Sequence, residues 1–197
     1  MDGLEHLPLE GNERQPWRNG GGWTREIARG PENASTGWDW RLSVAEVEAD
    51  GPFSTFPGVE REIVLLSGAG MDLHFADGRR HLLEPSAPRL RFSGDDPLDS
   101  RLVDGATTDF TLMWCRSRCD AELWMRPLVG GSVLCADPGE TWAVHLRTGR
   151  IECPDVDGLA LSSGDTLLLH PRPGRRRLRL EASGAAIVVR IRPTPAG

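Results

Sequence analysis

The chain has 197 residues, with 23 basic and 29 acidic residues and a formal net charge of −6. That balance disfavours non-specific nucleic-acid binding, which draws on clustered positive charge. Every basic residue is arginine, so a lysine Schiff base or lysine general base is excluded. The opening decapeptide MDGLEHLPLE has neither a basic n-region nor an apolar run, and no apolar stretch reaches the ~18 residues of a membrane span. The expectation is a cytoplasmic protein that does not associate with membranes. Cys115, Cys119, Cys135 and Cys153 form no C-x-x-C pair, and buried free thiols are expected rather than a disulfide framework.

In chain order the first feature is Pro16-Trp17-Arg18-Asn19-Gly20-Gly21-Gly22-Trp23-Thr24-Arg25-Glu26-Ile27. Three consecutive glycines carry an entropic cost on folding, and stacking and charged side chains flank them. Two readings stand: a loop that wraps a small polar ligand, or a turn pinned by two core tryptophans. No Lys-Ser/Thr follows and no G-x-G-x-x-G occurs, so a nucleotide loop is not expected. Consecutive N–H groups could still form an anion-binding concavity. Residues 38–45 begin with strict alternation, and residues 46–60 form a loop carrying Pro52, Phe53, Phe56 and Pro57. Strands are expected at 61–67, 71–75, 89–92 and 109–115, with a hairpin turn at Asp77-Gly78. Residues 116–132 are expected to hold a short helix or a connection. The same grammar then returns at 141–146, 148–153, 164–171, 178–180 and 186–191. This weak internal repeat of strand, turn, D-G turn and strand predicts an all-β protein of two related barrels or sandwiches.

Chemistry-bearing residues are sparse. The histidines His6, His74, His81, His145 and His170 include no H-x-H pair, so neither a metal nor another cofactor is expected. Arg172, Arg175, Arg176, Arg177 and Arg179 are read as a solvated turn and strand edge. Glu26, Glu46, Glu48 and Glu60 lie near the aromatic loops, where surface charge is the default and a catalytic acid–base pair the rival. Arg25 follows the glycine run, and Arg61 opens an apolar strand after the Phe-Pro-Gly loop. A buried arginine needs a partner. A ligand carboxylate suits its planar fork; a structural pair with Glu26 or Glu60 is the alternative.

At these residues the chain resembles the HutD/Ves family. The resemblance rests on PWRNGGGWTREIA (16–28), WDWRLSVAEVEADGPFSTFPGVER (38–61), LLSGAGMDL (65–73), FSGD (92–95) and DFTLM (109–113). It implies a cupin-like fold, the RmlC-like jelly roll or double-stranded β-helix. One bicupin would span residues 1–197, with barrels at about 15–115 and 130–192. GDTLLLHPRPG (164–174) looks like a cupin turn that lacks the metal-binding histidines. The resemblance further implies an accessory or regulatory protein of histidine utilisation that binds a formylated or formimino glutamate, or a Ves-like stress-response protein. The family's pocket is carried over to Trp17, Asn19, Thr24, Arg25 and Arg61.

The combined expectation is a binder of a small carboxylate rather than an enzyme. Its ligand site would comprise Trp17, Asn19, Gly20, Gly21, Thr24, Arg25, Phe53, Phe56 and Arg61. Asn19 and Thr24 would hold an amide-like end, Arg25 or Arg61 would clamp the carboxylate, and Trp17, Phe53 and Phe56 would wall the pocket. The rivals are a metal-independent isomerase or hydrolase using Glu26, and an interaction module acting through a sheet face. A homodimer is left open.

Overall fold

The computed structural model describes residues 3–31 and 36–194. Residues 1, 2, 32–35 and 195–197 of the expected 1–197 domain lie outside the described residues. β1 (Leu4–Leu7) is followed by one 3-10 turn at Leu9–Gly11. Then come β2 (Arg14–Pro16), β3 (Gly22–Arg29), β4 (Trp40–Val47), β5 (Gly51–Pro52) and β6 (Val59–Ser67). β7 (Met71–Phe75), β8 (Arg80–Leu83), β9 (Arg89–Ser93), β10 (Leu98–Leu102) and β11 (Thr107–Cys115) follow. The last are β12 (Cys119–Ala136), β13 (Thr141–Glu152), β14 (Ala160–Ser162), β15 (Thr166–Leu169) and β16 (Arg176–Pro193). Apart from the 3-10 turn, the described residues hold no helix, and the protein is all-β.

Two compact units divide the chain. One is Asn12–Arg118; the other joins Met1–Gly11 to Cys119–Gly197. In the first unit a six-stranded antiparallel sheet runs β2-β3-β4-β11-β6-β9, and a four-stranded one runs β5-β10-β7-β8. Period-two alternation sends Ile63, Leu65 and Phe92 of the first sheet toward Met71, Leu73, Phe75, Leu83 and Leu98 of the second. These residues close a dry core at one end of the sheet, and Phe75 meets Phe92 edge-on at 5.7 Å between ring centroids. The second unit is built on the order β1-β15-β13-β16-β12, with β14 beside β13. Its core includes Val144, Leu146, Ile151, Leu161, Leu167 and Leu169. His145 is buried beside the Thr166 hydroxyl, its Nδ1 3.0 Å from Oγ1.

Three local readings change. Residues 119–136 form no helix: they are one strand laddered against Arg176–Pro193. Cys119, Ala121 and Leu123 are buried while Asp120 and Glu122 are not, a period-two pattern that Pro127 and Gly130-Gly131 obscure. Proline is tolerated there because β12 is an edge strand with one unladdered side. The second unit therefore begins at Cys119 rather than near 130. It also takes in the N-terminal strand, where Leu4 pairs with Leu169 and Leu7 with Thr166. Among the cysteines, 115, 119 and 153 are buried free thiols, whereas Cys135 is exposed.

The glycine run is a turn joining β2 to β3. Gly20 N–H donates to the Trp17 carbonyl at 3.0 Å, and Gly21 N–H to the Asn19 side-chain oxygen at 3.1 Å. These donors are thus used internally and form no anion cradle. Gly20 has φ +72°, a left-handed conformation suited to glycine. Gly22 is required for a different reason: a Cβ there would lie 2.2 Å from the Glu46 carbonyl oxygen and 3.2 Å from the Trp17 ring. At Gly21 the nearest atom, Asn19 Oδ1, would be 3.4 Å away. Gly22→Ala should therefore cost about 2–3 kcal/mol, the range of an overpacked site, while Gly21→Ala should stay within about 1 kcal/mol. Chemical denaturation of both variants measures this, and equal losses would remove close approach as the reason for Gly22.

Candidate functional site

The floor of the site follows from strand register. Met113 of β11 faces Arg41 of β4 on one side and Arg61 of β6 on the other. Two residues along, Thr111 faces Ser43, and two further, Asp109 faces Ala45, which in turn faces Thr24 of β3. Because side chains alternate, these residues rise on one face of the six-stranded sheet. They floor a cavity of about 490 Å³, walled by Trp17, Arg18, Asn19, Phe53, Ser54 and Phe56 from the two loops.

Arg61 is 8% exposed. Its guanidinium carbon lies 5.1 Å from the Phe53 ring, 5.6 Å from Phe56 and 5.1 Å from Phe92. One amino group donates to the Ser54 carbonyl at 3.2 Å, and the buried Nε has no hydrogen-bond partner. Among the described residues no carboxylate lies within ion-pair distance of it, so neither Glu26 nor Glu60 is its mate. Burial pulls its pKa down to about 10, against the opposing influence of Asp109. It is still cationic at neutral pH. Three ring faces, worth about 0.5–2 kcal/mol each, partly offset desolvation, but the charge is not neutralised locally.

Asp109 is 1% exposed, and its carboxylate accepts a hydrogen bond from Thr111 Oγ1 at 2.7 Å. Burial pushes its pKa up to about 6; the Thr111 hydrogen bond and Arg61 only moderate the rise. Arg41 is also shifted, downward by burial, and pairs with Glu26 at 3.2 Å. The wall is fixed by Trp17 Nε1–H donating to Thr24 Oγ1 at 2.8 Å and by an edge-on Trp17–Phe53 contact at 6.4 Å.

Of the residues expected from sequence, Trp17, Asn19, Thr24, Phe53, Phe56 and Arg61 line this cavity. Gly20, Gly21 and Arg25 do not. Arg25 follows Thr24 in an extended strand, so it points to the opposite face. There it donates to the Asn12 carbonyl at 3.1 Å and lies 3.5 Å from Glu46. Glu46 and Glu48 pair with Arg14, and Glu60 with Arg91 and Arg116, while Glu26 holds Arg41 and Arg29. Sequence reasoning missed Arg41, Ser43, Asp109 and Thr111. The available signal was polar residues at every second position of strands that otherwise read as core.

His6, His74 and His170 each sit beside a carboxylate, of Asp165, Asp72 and Glu5 respectively. Among the described residues no group of three or more His, Cys, Asp or Glu converges as a metal site, and no helix is long and apolar enough to cross a membrane.

The fold is all-β and cupin-like, with a polar, arginine-bearing cavity set into the sheet of one unit. The chain belongs to the HutD family, whose model matches residues 10–189. It is 41% identical over 128 residues to an uncharacterized 21.2 kDa protein in the hutC 3′ region of Pseudomonas putida, covering 62% of this chain and 64% of that protein. It is 40% identical over 176 residues to protein Ves of Citrobacter koseri, covering 77% of this chain and 90% of that one. The solved HutD of Pseudomonas fluorescens SBW25 superposes with a TM-score of 0.85 at 27% identity, over 97% of this chain and 99% of its own.

The buried carboxyl gives a pH test. With a folded pKa of about 6 against an ordinary value of 3.8, Asp109 favours the folded state when protonated. Its penalty starts as pH rises through about 4, where the unfolded chain ionises, and is complete above about 6. Stability of the wild type relative to Asp109→Asn should therefore decline by about 2 kcal/mol between pH 4 and pH 7.5, at about 1.4 kcal/mol per pKa unit. Urea denaturation of both proteins across that range checks this; parallel curves would mean that the carboxyl ionises normally.

Proposed function

We propose that this protein is a cytoplasmic small-acid receptor of histidine utilisation, binding a formylated or formimino glutamate in the first-unit cavity without transforming it. The observation that carries the reading is Arg61: a buried guanidinium, caged by aromatic rings, with an unpartnered Nε and no carboxylate in ion-pair range. A ligand carboxylate would supply the missing charge and accept two parallel N–H bonds. Excluding water would strengthen that contact. Trp17, Phe53 and Phe56 serve as the apolar wall, and Asn19 and Thr24 supply polar contacts at the rim. The neighbourhood of a relative's gene to hutC supports the histidine-utilisation context.

One observation favours a second reading, a metal-independent enzyme: Asp109, with a pKa of about 6 and a place on the cavity floor, has the properties of a general base. Turnover separates the two readings.

Calorimetric titration with N-formyl-L-glutamate should show saturable binding, and NMR should recover the ligand unchanged. Arg61→Ala should weaken binding about 30-fold or more, matching the roughly 2–5 kcal/mol lost with a buried charged partner. Arg61→Lys should restore only part, since an ammonium lacks the bidentate fork. Unchanged affinity in a folded Arg61→Ala protein would end the clamp, and conversion of the ligand would move the protein to the enzyme reading.

A further inference from the structure

The cavity floor is electrically polarised along its length. Arg41 and Arg61 flank Met113, while Asp109 stands four residues further along the same strand. At about 3.4 Å per residue, that separates the Asp109 and Met113 backbones by roughly 13 Å. The reach of the arginine side chains takes up part of the span, leaving room for a short extended ligand. At the acidic end, Thr111 is the one described group that hydrogen-bonds the Asp109 carboxylate. At the basic end, the Arg61 Nε is buried and unpartnered. A simple anion would satisfy the arginine and leave the carboxylate facing the ligand without a donor.

We propose that Asp109 is the specificity-determining residue of this cavity, selecting ligands that carry a carboxylate at one end and a cationic nitrogen at the other. The inference rests on the reading of this cavity as a small-acid site, and it narrows the ligand class from acids in general to dipolar acids, ranking a formimino glutamate, whose amidine is cationic, above a formylated one, whose formamide is neutral. The physical reason is an asymmetry of cost. An uncharged or anionic group placed against Asp109 leaves a desolvated carboxylate with only the Thr111 hydrogen bond and the Arg61 charge to offset its burial. An ammonium or amidinium placed there forms a charge-assisted hydrogen bond in a site that water has left. Burial has already raised the Asp109 pKa to about 6, which reports how poorly the protein alone stabilises that charge. Thr111, which lines the same cavity, holds one carboxylate oxygen.

Two probes of nearly equal size isolate the effect. 5-Aminopentanoate and hexanoate share a carboxylate and a four-methylene stem and differ by an ammonium in place of a methyl. Calorimetric titration at pH 7.5 should show 5-aminopentanoate binding at least about tenfold more tightly, the lower range for a hydrogen bond to a charged group. An ordinary apolar pocket gives the reverse order. In Asp109→Asn the ratio should fall to about one or below, with a single cooperative melting transition showing that the variant is folded. Should that variant fail to fold, the wild-type comparison decides alone. Equal binding, or a preference for hexanoate, overturns this inference while the small-acid reading stands. Absence of binding by both probes at 10 mM overturns the small-acid reading and this inference with it.

Discussion

The first unit is organised around the burial of the Arg61 guanidinium. Taking such a charge out of water costs several kcal/mol unless it is paired, and the protein leaves it without a carboxylate in reach. What it supplies instead is partial: the faces of Phe53, Phe56 and Phe92, one carbonyl, and the charge of Asp109 from beyond ion-pair distance. The rings exclude water as well as attracting the cation. Each substitution that would relieve the cost, such as an apolar residue at this position, would also remove the guanidinium on which the proposed carboxylate site rests. Natural proteins tolerate local strain of this kind where a site needs it.

The surrounding elements hold that arrangement in place. Gly22 lets the Glu46 backbone and the Trp17 ring approach closely, and Trp17 then reaches Thr24 and Phe53 to close one wall. Phe56 belongs to the other loop and also packs on Trp38 at 6.5 Å. Away from the cavity the carboxylates of Glu46, Glu48 and Glu60 are held in arginine pairs. Such exposed pairs contribute little to stability, but they keep those acids from competing for Arg61. The two units use their sheets differently. The second packs an apolar core around Val144, Leu146 and Leu167, whereas the first divides one sheet face between a dry core at Ile63 and Leu65 and the polar floor at Asp109, Thr111 and Arg61.

Much of this was legible in the residues. Short apolar or alternating runs broken by glycine and proline determined an all-β chain. The Trp-Arg-Asn-Gly-Gly-Gly-Trp and Phe-Pro-Gly-Val-Glu-Arg stretches pointed to the two loops and to Arg61, and they identified the HutD family. Local chemistry sufficed because each of these signals lies within a dozen residues. Tertiary structure decided the rest. Thr24 and Arg25 are adjacent in sequence, yet strand parity sends them to opposite faces, so only Thr24 lines the cavity. Asp109 and Arg61 are far apart in the chain, and only the pairing of β11 with β6 sets them on one floor. The same holds for β1, whose partner β15 lies at the other end of the chain. Register and burial are properties of paired strands, and no single strand carries the information that specifies its neighbour.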